Sequence, residues 1–165
     1  MDDVLWDVAK NLIGKLEFID CIIYLWNDDK TKLIQRAGYG EKDSLEEMEK
    51  KYFEILPGEG VVGYVCQTKE AVMIGDTSKD ERYRLDEKFR FSELAVPVIY
   101  NDELIGVIDT EHHLKNFFTQ RHLQLLTTIA AMVATKINGI ESERLVSRQK
   151  AELTISNQQL SEIQL

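Results

Sequence analysis

The sequence predicts an α+β domain, with helices at the two ends of the chain and an antiparallel hairpin among the strands between them in sequence. Three observations carry this expectation. Apolar residues near both termini recur at helical spacing, and Phe18 to Trp26 is rich in β-branched and aromatic residues. The stretch SELAVPVIYNDELIGVIDTEHH, Ser92 to His113, reads as two apolar strands folded back at Tyr100-Asn101-Asp102-Glu103.

Taken in order, Val4, Leu5, Val8, Leu12, Ile13 and Leu16 give residues 2–18 an amphipathic helix. The strand from Phe18 to Trp26 follows, then turn chemistry at Asn27-Asp28-Asp29, and a returning strand from Lys32 to Ala37. Glu41 to Glu54 is a charged, helical excursion. The segment LPGEGVVG, Leu56 to Gly63, satisfies GxGxxG, with Glu81 near the spacing of a ribose-binding acid. Pro57 interrupts the entry and no βαβ context surrounds it, so a tight turn at Gly58 and Gly60 is expected, leading into a short helix through Val61, Val62, Val65 and Cys66. Ala71 to Ile74 is a short strand. Gly75 to Phe91 is a long charged connection carrying Arg82, Arg84 and Arg90 with Tyr83, Phe89 and Phe91, aromatics that fold a loop back onto the body.

After the hairpin, Asn116 or Thr119 can cap a helix that runs from Gln120 to the end of the chain. Leu123, Leu126, Ile129, Ala130, Val133 and Ile137 form a stripe suited to a sheet. Beyond it Met132, Gly139, Val146, Leu153 and Leu160 recur every seven residues, with polar Thr135, Ser142, Gln149 and Ser156 at the alternate core positions. This pattern predicts a parallel coiled-coil linker over 141–165, following a domain over 1–140.

The hairpin carries a puzzle in its acids. Glu93, Ala95, Pro97 and Ile99 share one strand face, and Ile105, Val107, Asp109 and Glu111 share one on the other strand. A two-residue Asn101-Asp102 turn would put these faces on opposite sides of the sheet. A three-residue loop through Glu103 would put Glu93 opposite Glu111 and Ala95 opposite Asp109. The acids are then either a charged pocket or wet strand ends, and the residues alone leave both open.

Composition bounds the function. The 165 residues suffice for one core, and 44% hydrophobic with 30% charged residues is globular usage. The net charge of −9 opposes non-specific attraction to nucleic acid and anionic lipid. No uninterrupted apolar run has bilayer length and the acidic N-terminus MDDVLWDVAK lacks signal-peptide order, so a cytoplasmic protein without direct membrane contact is expected. Cys21 and Cys66 lie in apolar runs and are expected as buried thiols. Asp109, Glu111 and His113 alternate as metal ligands could, but lack a fixed-spacing motif, so no metal is expected.

Three stretches in this order, LPGEGVVGYVCQTKEAVMIGDTSKDERY, SELAVPVIYNDELIGVIDTEHH and NFFTQRHLQLLTTIAAMVATKI, resemble the GAF domains of bacterial signalling proteins, above all those of sensor histidine kinases, over roughly residues 4–140. The resemblance implies a central antiparallel sheet with the N- and C-terminal helices packed on one face and a lidded small-molecule pocket on the other. It also implies a homodimer through the terminal helices, and an output domain beyond this chain.

Within the family, free methionine sulfoxide reductases resemble this hairpin and place substrate-binding acids at positions matching Glu93, Asp109 and Glu111, which favours the register with all three on one face. Those enzymes carry a cysteine where Val62 stands and another in the lid ahead of Ser92. With neither present, sulfoxide chemistry lacks its nucleophile and resolving thiol. The Asp-Glu pair of cyclic-nucleotide members is absent after Phe118, and no cysteine has the histidine neighbour that bilin-binding members use. The expectation is a non-enzymatic sensor of an unknown small molecule. Its ligand meets Glu93, Asp109 and Glu111, with Asp76, Tyr83 and Arg82 from the lid and Trp26 from the sheet. The alternatives are a ligand-free dimerisation module and, third, a reductase-like enzyme.

Overall fold

The computed structural model describes residues 2–7, 10, 11, 16, 18–40, 54–84 and 89–163. Helix α1 (Asp2–Asp7) precedes strands β1 (Asp20–Trp26), β2 (Leu33–Gly40) and β3 (Glu54–Ile55). Helix α2 (Gly60–Thr68) leads to β4 (Val72–Ile74), a 3₁₀ turn at Thr77–Lys79, the hairpin of β5 (Ser92–Tyr100) and β6 (Glu103–His112), and helix α3 (Gln120–Ile163). The six strands form one sheet, ordered β3-β2-β1-β6-β5-β4, and every pairing is antiparallel. The α+β expectation holds. Most of the helix expected over 41–54 lies outside the described residues; its last residue, Glu54, instead starts β3 against Ile34 of β2. Val8, Leu12 and Ile13 also lie outside them.

The sheet separates two cores. On one face Leu5, Phe18, Cys21, Ile23, Leu94, Val96, Val98 and Ile108 meet Leu126, Ile129, Ala130, Val133 and Ile137 of α3. This is the stripe read from the sequence. On the other face Ile22, Tyr24, Leu33, Ala95 and Val107 meet Val61, Val62, Val65 and Cys66 of α2. Cys21 and Cys66 therefore sit on opposite faces of the sheet, which keeps them apart. An all-antiparallel sheet also removes the dinucleotide reading of LPGEGVVG. Gly58 and Gly60 take left-handed φ of 83° and 67°, and the Gly58 N–H bonds the Gly63 carbonyl at 2.8 Å to close the turn into α2.

Helix α3 is one unbroken run of 44 residues. An 18-residue window within it has mean hydropathy 1.3, enough by length and composition alone to cross a membrane, although no uninterrupted apolar run of that length exists in the sequence. A third of that window is buried inside the fold, and the α3 residues on the sheet belong to the core. The seven-residue row Leu125, Met132, Val146, Leu153 and Leu160 is exposed, off the sheet-facing side.

The hairpin register resolves in a way that neither loop length alone anticipates. Asn101 and Asp102 form a two-residue turn, both in left-handed φ (48° and 64°). Yet Glu93 stands opposite Glu111, and Ala95 opposite Asp109. Tyr100 pairs Glu103 and Ile99 pairs Leu104, but Val98 pairs Gly106, so β6 carries one extra residue at Ile105. That bulge shifts the register by one and returns the acids to a common face. Gly106 completes it, because a Cβ there would lie 2.0 Å from the Tyr24 carbonyl oxygen of β1.

A Gly106→Ala variant is therefore expected to lose about 3 kcal/mol or more, since backbone has to move to admit the methyl. A methyl at Gly139 would meet nothing within 4 Å among the described residues beyond its own stretch of helix. On exposed helix Gly139→Ala is expected to gain about 0.5–1 kcal/mol. Urea midpoints of the two variants check both signs.

Candidate functional site

Three neighbouring strands bring their acids to one end of the α2 face. Asp20 opens β1 on the same face as Ile22, Ile22 pairs Asp109, and Glu93 pairs Glu111. All four carboxylates are withdrawn from water: relative exposure is 0% for Asp20, 5% for Glu93, and 4% for Asp109 and Glu111. Wet strand ends would be exposed, so that reading of the acids fails. Burying carboxylates is costly unless donors and positive charge accompany them.

The donors come from β6 and the lid. The Asp20 Oδ1 accepts the Glu111 backbone N–H at 2.8 Å, and Thr110 Oγ1 donates to the Asp20 carbonyl at 2.6 Å. Arg90, itself 7% exposed, brings its Nε to 3.6 Å from Asp20 Oδ2. Its backbone N–H donates to the Tyr83 hydroxyl at 3.0 Å, and its carbonyl accepts from Thr77 Oγ1, fastening the lid over the acids. Burial pushes the Tyr83 hydroxyl well above its ordinary value, helped by the charges of Glu111 and Glu93 and by a hydrogen bond to Glu111. Tyr83 is thus held as a neutral donor beside the acid row.

The other expected site residues divide. Arg82 forks onto Asp80 at 2.9 and 2.6 Å and stacks its guanidinium 4.5 Å from the centre of the Tyr64 ring. The Asp80 bonds raise its pKa most, and Glu93 adds to the shift, so Arg82 flanks the acids from the rim. Asp76 accepts from Lys115 Nζ at 2.8 Å and from Ser78, bonds that bring its carboxyl down to about 2. It caps the 3₁₀ turn and ties the lid to the segment after β6. Trp26 donates its indole N–H to the Leu104 carbonyl at 2.9 Å. It lies six residues along β1 from Asp20, about 20 Å at strand rise, so the structure does not bring it to the acids.

Asp20 and Arg90 are the members that sequence reasoning left out of the site. A carboxylate inside FIDCIIYLW was the available signal for Asp20. Of the lid arginines, Arg84 instead pairs with Glu59 at the surface. Gln35 on β2 is a further buried polar group on this face, opposite Tyr24, and its Oε1 has no hydrogen-bond partner among the described residues. Among the described residues no three His, Cys, Asp or Glu side chains are arranged to hold a metal ion.

Comparison with known proteins bears on the fold. A family model described as GAF domain matches residues 1–138. The chain is similar to the GAF domain of a phosphoenolpyruvate-protein phosphotransferase from Acinetobacter (24% identity, TM-score 0.75, covering 86% of this chain and 84% of that one). It is likewise similar to the GAF domain of a phosphoenolpyruvate-protein phosphotransferase from Coxiella burnetii (20%, TM-score 0.77, 87% and 86%). A free methionine-R-sulfoxide reductase from Neisseria meningitidis, solved with its substrate, is similar at 18% identity (TM-score 0.75, 86% and 80%). No curated protein sequence matches the chain.

The buried thiol of α2 is held protonated. Burial pushes Cys66 up from 9.0 to about 11. Its alkylation by iodoacetamide at neutral pH is expected to run about a hundredfold slower than that of a free thiol, and to accelerate in urea. Mass spectrometry of the native and unfolded protein measures this; rapid native labelling of Cys66 would contradict it.

Proposed function

This chain belongs to the GAF domain family, a regulatory or ligand-binding fold, and from that premise we propose that it is the sensor domain of a signalling protein, a sensor histidine kinase being the parent we favour. In this reading a small molecule enters between the α2 face and the 75–91 lid, and its hydrogen-bond donors or positive charge meet Glu93, Asp109 and Glu111. Tyr83 and Arg82 line the lid side. The observation that carries the proposal is the burial of these three acids, with Asp20, at one end of one sheet face. A sheet needs no such row for its own stability, because like charges directly opposite across strands work against pairing.

Asp76 and Trp26 are assigned structural roles in this reading, as the lid's tether and a sheet-edge anchor. Signal leaves through α3, whose exposed seven-residue row is the surface we assign to a parallel partner helix in a homodimer. Occupancy changes output only if the ligand prefers one arrangement of that helix pair. We read the chain itself as non-enzymatic: sulfoxide reduction requires a thiolate, Val62 stands where the related reductases have a cysteine, and the Cys66 thiol is held protonated.

A thermal-shift screen with amino acids, their oxidised forms and cyclic nucleotides tests the reading. A stabilising compound is expected, and Glu93→Gln and Asp109→Asn should each weaken its affinity roughly 10- to 150-fold, the worth of one hydrogen bond to a charged group. Calorimetry checks the affinities. A compound that binds both variants as it binds the parent would refute this site, and thiol-dependent turnover of methionine sulfoxide would revive the enzyme.

A further inference from the structure

All three histidines of the chain lie between the end of β6 and the first turn of α3. Their rings form a column with Phe117. His113 stacks on His112 (centroids 4.4 Å apart), His112 on Phe117 (3.5 Å, planes within 2°), and Phe117 on His122 (5.3 Å). Phe18 and Phe118 close the sides edge-on. Two of these rings do the same unusual job. His112 Nδ1 accepts the Leu114 backbone N–H at 3.1 Å, and His122 Nδ1 accepts the Thr119 N–H at 3.1 Å. The His122 N–H reaches back to Thr119 Oγ1 at 3.5 Å, so Thr119 and His122 cap α3 reciprocally.

An Nδ1 acceptor requires a neutral ring with its proton on Nε2. A second proton at Nδ1 turns the acceptor into a donor facing another donor. We propose that the histidine column is a proton-operated clasp, in which protonation of His112 and His122 opens the 113–119 turn and the first turn of α3.

The surrounding charges favour opening once protons bind. Arg90 from the lid brings its charge to bear on His112, and Lys115 of the turn lies over the neighbouring Phe91 ring. Asp20 is engaged with Arg90 and Asp76 with Lys115. Burial, and then the charges of His113, Arg90 and His122, hold His112 below its ordinary value of 6.5. The closed form therefore binds fewer protons than the open one below that pH, and acidification favours the open form. The clasp reaches the lid as well, because Phe91 N–H bonds the His112 carbonyl at 2.9 Å and Asn116 N–H bonds the Gly75 carbonyl at 2.8 Å. It operates whether or not a ligand occupies the acid face.

Native-state hydrogen exchange on the whole chain tests the clasp, with rates corrected for intrinsic pH dependence. Between about pH 7.5 and 5.5, where histidine titrates, protection at the Leu114, Thr119 and Leu123 amides is expected to fall about tenfold or more, while Val96 in the central sheet holds steady. In His112→Asn with His122→Asn, which keeps an acceptor but no titrating proton, that pH response should shrink to about twofold or less. Unchanged protection in the parent, or an undiminished response in the double variant, overturns the proposal. Side-chain nitrogen NMR of the parent gives a test that needs no variant: both rings should be Nε2–H tautomers at neutral pH, and an Nδ1–H tautomer at either refutes the clasp.

Discussion

The organisation of this domain depends on one surplus residue in β6. The Asn101-Asp102 turn by itself would align Glu93 with Thr110, sending Glu93 to one face and Asp109 with Glu111 to the other. The bulge at Ile105 cancels that offset within three residues of the turn. Every residue of β5 from Ser92 to Val98 then matches its face on β6, and both cores inherit their membership from that shift. Beside the bulge, β1 approaches β6 at Gly106 so closely that no side chain fits. One extra residue at one end of the hairpin thus sets the chemistry at the other end.

The two faces of the sheet are built for different work. The α3 face is apolar through its centre and aromatic at its end, where Phe18, Phe117 and Phe118 gather. The α2 face is apolar at one end and acidic at the other, and the acidic end is where the lid is fastened most heavily. Thr77, Tyr83, Arg90 and Phe91 all hold backbone bonds across this region, and Asp76 and Lys115 join lid to turn at the surface. The acid face and the start of α3 consequently share a border. The two ends of the lid are bonded to the segment that precedes α3, Gly75 to Asn116 and Phe91 to His112.

Much of this was legible in the residues. Period-two alternation gave both hairpin strands and the faces within each, the family resemblance favoured a shared face for the acids, and period-3.6 spacing gave the sheet-facing side of α3. The glycines of LPGEGVVG announced a turn and helix start. The bulge was not legible, because the close approach that requires Gly106 beside it comes from Tyr24, distant in sequence. β3 was hidden because a two-residue strand has no period to detect, and its neighbours are charged. Asp20 and Arg90 escaped for a related reason. A lone acid in an apolar strand and one arginine among three in a loop acquire meaning only when register sets them side by side. Trp26 errs the other way: its type suits a binding face, but strand rise carries it to the far end of the sheet.

The length of α3 gives its base mechanical leverage. Only the portion up to Ile137 is seated among core residues. The 26 residues beyond it extend about 39 Å as a single rod, at 1.5 Å per residue. Tilting that rod by about 5° at Ile137 swings its far end by about 3 Å, comparable to two residues of helical rise. Displacements too small to disturb the core are therefore magnified into shifts as large as the features that set the register of one helix against another.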